Sequence, residues 1–195
     1  MNNKRFSGYI VGFIVVVLGI LLIISYNSLV KKEEKVKFQW NEVQNNYQRR
    51  LDLVPNIVSV VQGGATYEKT TLESVIEARV QAMKVNTGGD ISSEKYKEIT
   101  GAQDNLAGAA NRLLISVEKY PELKGTKAFV GLQVQLEGTE RRIKVARQDF
   151  NGAIADYNSS VRSFPTKIVA GLFGFHPREG FESETGADKA VEIKF

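Results

Sequence analysis

Histidine occurs once, at His176, and cysteine does not occur at all. These two facts remove disulfides, thiolate nucleophiles, thiolate metal sites and any cluster built on two imidazoles. No H-E-x-x-H, E-x-x-H, G-x-S-x-G or glycine-rich phosphate loop occurs. A di-iron helical bundle needs inward glutamates paired with histidines, and that set is missing. Ser116 and Ser160 have no histidine partner to activate them. An Asp or Glu pair could still run hydrolysis. No isolated Asp or Glu pair stands out for it. The expectation is a protein with no catalytic, cofactor-binding or metal residues, and an envelope enzyme using paired carboxylates is the alternative.

The informative polar residues lie close to apolar seams. Arg49, Arg50, Asp52 and Pro55 form one group, and Glu118, Tyr120, Pro121 and Glu122 form another. Both are candidate partner-binding stretches, because short loops on a helical scaffold make good recognition surfaces. Arg79, Glu137, Glu140 and Arg147 are candidates for a partly buried polar network that fixes helix register. The bland alternative is a set of solvated pairs at helical spacing, each stabilising by a few tenths of a kcal/mol.

These residues are positioned by an anchor and four helices. Residues 6–26 carry no charge and read FSGYIVGFIVVVLGILLIISY. About 20 apolar residues is what a helix needs to cross a bilayer. The run is longer than a signal-peptide core, and no A-x-A-like cleavage site follows it. A single uncleaved transmembrane anchor is expected. Gly8 and Gly12 offer a small-xxx-small face for pairing of spans. Lys4 and Arg5 precede the span, whereas Lys31, Lys32, Lys35 and Lys37 follow it. That bias favours a single-pass protein of the cell membrane with its body on the cytoplasmic side. The net charge of +4 is spread with both signs mixed, so nucleic acid is not an expected partner.

After the span, Leu29, Val36, Trp40, Val43 and Tyr47 recur as a heptad seam, which predicts helix over 27–50. Pro55, with Asp52 placed to cap a new helix, predicts a tight reversal there. A single long kinked helix is the alternative. A second helix is expected over 54–85, a third over 93–118 and a fourth over 126–163. Asn86, Thr87, Gly88, Gly89 and Asp90 read as a loop, and Tyr120-Pro121 as a break. The fourth helix keeps its apolar spacing from Phe129 to Phe164 with Thr139 filling one gap. The expected fold is all-α, an antiparallel up-down-up-down four-helix bundle behind a transmembrane helix. The expected divisions are an anchor at 1–26, a bundle at 27–165, and a membrane-proximal segment with a flexible tail at 166–195. Phe164, Ile168, Leu172, Phe173 and Phe175 should then lie near the bilayer, capping the bundle or resting in the interface. In this topology the two partner-binding stretches share the tip far from the membrane.

Several separated runs carry a resemblance. They are YNSL at 26–29, Trp40, YQRRLDLVPN at 47–56, Glu68, Ala78-Arg79, VEKYPEL at 117–123, LEGTE at 136–140, Ala146-Arg147, Tyr157-Asn158 and Phe164-Pro165. In this order the chain resembles the LemA family of bacterial membrane proteins over residues 26–165 and the glycine- and phenylalanine-containing tail that follows. The resemblance implies a membrane-anchored helical domain with a four-helix core, and a short amino terminus outside the cytoplasm. It implies no settled molecular activity.

The functional expectation is a membrane-anchored scaffold or adaptor that organises protein partners, copies of itself included, with the lipid bilayer as its other partner. A membrane-coupled sensor passing strain through the first helix is a further alternative.

Overall fold

The structure is a computed structural model and describes residues 3–64, 69–85 and 92–181. The described residues form helices α1 (Asn3–Gly64), α2 (Lys69–Lys84), α3 (Ser93–Val117), α4 (Pro121–Lys124), α5 (Lys127–Arg162) and α6 (Thr166–Phe173). The fold is all-α, with one amino-terminal helix apolar enough to cross a membrane and a packed bundle of helices. The loop residues Asn86 to Asp90, Tyr67 and Glu68, and the carboxyl-terminal tail beyond Phe181 lie outside the described residues.

The chain divides into two compact units, residues 1–42 with 148–178, and residues 43–147 with 179–195. In the first, the span of α1 is bare: Tyr9, Phe13, Val16, Ile20 and Ile23 are among its large exposed apolar side chains. Only past the span does α1 bury a seam, with Leu29, Val36 and Trp40. The Trp40 ring meets Phe150 of α5 at 5.4 Å between centroids. Lys35 pairs with Asp156 at 3.5 Å, and Arg178 with Glu33 at 2.6 Å. Asn158 brackets the Arg178 backbone, donating to its carbonyl at 2.7 Å and accepting from its N–H at 2.8 Å.

The second unit is built around one apolar core. Leu51, Val54, Ile57, Val58 and Val61 of α1 meet Leu72 and Val75 of α2, Leu106, Ala109, Ala110 and Leu113 of α3, Leu123 of α4, and Phe129 and Leu136 of α5. Small residues on α3 suit close helix approach. Ser92 caps α3, its hydroxyl accepting from Lys95 N–H at 3.3 Å. Thr139 fills the gap in the α5 stripe as expected, fully buried, its hydroxyl returned to the Gln135 carbonyl at 2.8 Å.

One expectation is overturned. The chain does not reverse at Pro55: α1 runs through it to Gly64, so the first helix is longer and the second starts later than the spacing suggested. Asp52 caps nothing and is an exposed mid-helix residue accepting from Gln48 at 2.8 Å. Two facts explain the continuation. The apolar stripe carries on past the proline, and breaking the helix would strip Leu53, Val54, Ile57 and Val58 of their burial. Pro55 also lacks the N–H that would bond the Leu51 carbonyl one turn back. That carbonyl instead accepts from Arg79 Nε of α2 at 2.9 Å. Helix α1 ends where Gly63 and Gly64 stand, residues that favour helix poorly.

This replacement donor gives a direct prediction. Arg79→Met will destabilise the detergent-solubilised protein by about 1–2 kcal/mol, the cost of a part-buried carbonyl left unpaired. In a Pro55→Ala background the new backbone N–H bonds Leu51, and the same change will cost less by at least about 0.5 kcal/mol. Equal costs in both backgrounds, read by denaturant unfolding, would mean that Arg79 does not stand in for the missing N–H.

Candidate functional site

The polar residues of the second unit are gathered inside it. Arg50 is the largest fully buried side chain of the described residues, 1% exposed. Its Nε donates to Glu140 Oε1 at 2.7 Å, and its Nη2 pairs with Glu140 Oε2. Nη1 donates to the Gln103 carbonyl at 2.9 Å and more weakly to Gln103 Oε1 at 3.2 Å. The guanidinium fork thus joins α1, α3 and α5 through one side chain. Such a bidentate match to a carboxylate needs arginine, since lysine offers a point charge and no fork.

One turn earlier on α1, Tyr47 is buried beside a second arginine. Arg147 Nε donates to the Tyr47 hydroxyl at 2.9 Å and Nη2 to Asp104 at 2.6 Å. The Arg147 guanidinium also lies 5.5 Å from the Tyr47 ring centroid and 5.2 Å from that of Phe181. Burial pushes the Tyr47 phenol above the usual tyrosine range, and the Arg147 charge offsets only part of that. For Arg147, burial works against the charge, but Tyr47 and Asp104 outweigh it and raise the pKa. Tyr47 is therefore a neutral phenol at physiological pH, held as a hydrogen-bond acceptor.

Of the four residues read as a polar network, Arg79, Glu140 and Arg147 make these bonds between helices. Glu137 does not: it is exposed and accepts from Gln133 of its own helix at 3.0 Å. Arg50, read as part of a surface turn, sits in the interior, and Arg49 beside it is exposed. Gln103, Asp104 and Tyr47 were missed as polar partners. Gln103 did carry a signal, since it stands between Ile99 and Leu106 on the apolar stripe of α3, where a polar residue needs a partner.

The second partner-binding stretch does form a turn, between α3 and α5. Pro121 opens α4, Leu123 anchors it in the core, and Tyr120 packs half-buried against that core. Glu118 and Glu122 are exposed. Glu118 pairs loosely with Lys124 at 3.6 Å. Beside the turn lies an open groove of about 320 Å³ lined by Leu114, Ile115, Glu118, Lys124, Phe129 and Gln133. Pro55 is half-buried inside α1, so the first stretch contributes no turn to this end. No cluster of His, Asp and Glu that could hold a metal occurs among the described residues.

The LemA family model matches residues 39–195. The chain belongs to the LemA family. It is 24% identical to magnetosome protein MamQ 2 of Paramagnetospirillum magneticum over 188 residues, covering 87% of this chain and 69% of that protein. The MamQ protein of Magnetospirillum gryphiswaldense matches with the same identity and coverage. Protein LemA of Metamycoplasma hominis is 21% identical over 161 residues, covering 81% of this chain and 70% of that one. The family match begins just before Trp40, so it takes in every residue of the polar network in this LemA-family chain.

The Arg50 pair has a testable energy. Arg50→Met leaves the Glu140 carboxylate without its cation and will cost about 3 kcal/mol in denaturant unfolding. Arg50→Lys will recover less than half of that, because the fork is lost. Replacing Arg50 and Glu140 together by methionine and leucine will recover most of it. A loss under about 0.5 kcal/mol for Arg50→Met, the range of an ordinary surface change, would contradict the geometry.

Proposed function

We propose that this LemA-family chain is a membrane-anchored helical scaffold or adaptor that organises protein partners at the bacterial cell membrane. Residues 1–26 anchor it, residues 27–165 form an antiparallel up-down-up-down bundle of α1, α2, α3 and α5, and the segment from Phe164 to Phe175 lies nearest the bilayer. The lysines at 31, 32, 35 and 37 favour a cytoplasmic body. Self-association through the glycine face of the span, which is open around Gly8 and Gly12, is one form the assembly takes.

The observation that carries this reading is the division of labour among the charged residues. Arg50, Glu140, Arg79 and Arg147 are engaged inside the bundle, whereas Glu118, Glu122 and Lys124 stand at the surface. Buried guanidinium pairs hold helices in register. Glu118 and Lys124 line a groove that also presents Ile115, 65% exposed, with Glu122 on the adjoining turn. A lining that mixes Leu114, Ile115 and Phe129 with the polar Asn111, Gln133, Glu118 and Lys124 suits a protein-recognition surface.

Photo-crosslinking from positions 115 and 122 of the full-length protein in its native membrane tests the proposal. The expected result is a discrete crosslinked partner from both positions and none from position 144 on the outer face of α5. Charge reversal at Glu118 and Glu122 together should abolish the adduct while changing stability by less than about 0.5 kcal/mol, as for other surface changes. The same adducts from position 144, or adducts indifferent to the reversal, would move the recognition surface away from this turn.

A further inference from the structure

Helix α6 of the first unit divides its residues sharply. Val169 and Ala170 are buried, while Ile168 and Leu172, one helical turn apart, are 54% and 70% exposed, and Phe164 in the turn just before the helix is 83% exposed. Three large apolar side chains together in water are costly and call for a cover. Their surroundings say what the cover is. Gly174 ends α6 with φ at 77°, a conformation open to glycine, and Phe175 N–H closes the cap on the Ala170 carbonyl at 2.9 Å. This cap turns the chain back onto α1. The Tyr26 ring lies 4.9 Å from that of Phe173 and 5.7 Å from that of Phe175.

Tyr26 is the last residue of the apolar span. From Tyr9 to Tyr26 at about 1.5 Å per residue the bare surface of α1 is roughly 27 Å long, close to the hydrocarbon thickness of a bilayer. The contact with Tyr26 therefore sets α6 at the level where aromatic rings collect between acyl chains and headgroups. Lys167 flanks the exposed stripe of α6 and can extend its ammonium toward the phosphates.

We propose that α6 is a second membrane contact, an interfacial helix whose Ile168 and Leu172, with Phe164 at the turn before it, are immersed in the bilayer surface beside the point where α1 emerges. This deepens the anchored reading and rests on α1 being the span. Two contacts would restrict the tilt of the anchor in a way that one helix cannot, and would leave the stripe covered by lipid in place of a protein partner.

The absence of native cysteine allows single nitroxide labels at chosen positions. Full-length protein carrying one label at position 14, 149, 168 or 172 is reconstituted in vesicles of phosphatidylcholine and phosphatidylglycerol. Accessibility to oxygen, which enters lipid, is compared with accessibility to a water-soluble nickel chelate. The ratio of oxygen to nickel accessibility is expected to be several-fold higher at 168 and 172 than at the aqueous control 149, and higher still at 14. A nickel-accessible label at 172 together with a lipid-buried label at 14 overturns the α6 proposal and leaves the anchor intact. A label at 172 shielded from both reagents means a protein cover, such as a second copy, and also overturns it. A nickel-accessible label at 14 overturns the anchor reading itself.

Discussion

The path of the chain depends on how the Leu51 carbonyl is satisfied. Pro55 removes its ordinary donor, and a part-buried carbonyl with no partner is expensive enough to end a helix. Arg79 supplies the donor from α2 at 2.9 Å. The bond does two things at once. It lets α1 pass its proline without a break, and it holds α2 along the face of α1 where Leu51, Val54 and Val61 join Leu72 and Val75 in the core. Had the helix ended at residue 50, Arg50 would have stood in a surface turn. Because it continues, Arg50 points inward and must be paired.

That pairing explains why a small helical domain keeps charges in its interior. A buried arginine is destabilising unless its whole fork is occupied. Here Glu140 and Gln103 occupy it from two other helices. An apolar core of leucine and alanine tolerates sliding of one helix past another, whereas a guanidinium with fixed partners accepts one register. Tyr47, Arg147 and Asp104 repeat the device a turn away. The two devices together fix the register of α1, α3 and α5.

Much of this architecture was legible in the chain. The uncharged run at 6–26, the stripe of α3, the long spacing of α5 and the break at Tyr120-Pro121 are local signals, and the structure follows them. Leu29, Val36, Trp40, Val43 and Tyr47 are all buried, as their heptad spacing implies. The reversal at Pro55 was misread because the proline rule is local and its answer is not. The replacement donor comes from Arg79, 28 residues away, and no spacing rule connects it to Leu51. The same error carried Arg50 to the surface and made Asp52 a cap. At the site, Arg79, Glu140 and Arg147 were visible as charges close to seams. Tyr47, the partner of Arg147, was hidden because it fits an apolar seam, whereas Gln103, the partner of Arg50, stood out as a polar residue on the apolar stripe of α3.

An unbroken α1 is the claim on which the network, the core and the position of the first turn all rest. A distance between nitroxide labels placed at exposed Asn45 and Ser59 measures it directly in the full-length protein. A continuous helix separates these backbone positions by about 21 Å, at about 1.5 Å per residue. A reversal at Pro55 would set them side by side on neighbouring antiparallel helices, roughly 10 Å apart. A single distribution near the longer distance is the predicted result. A dominant population at the shorter one would contradict the account.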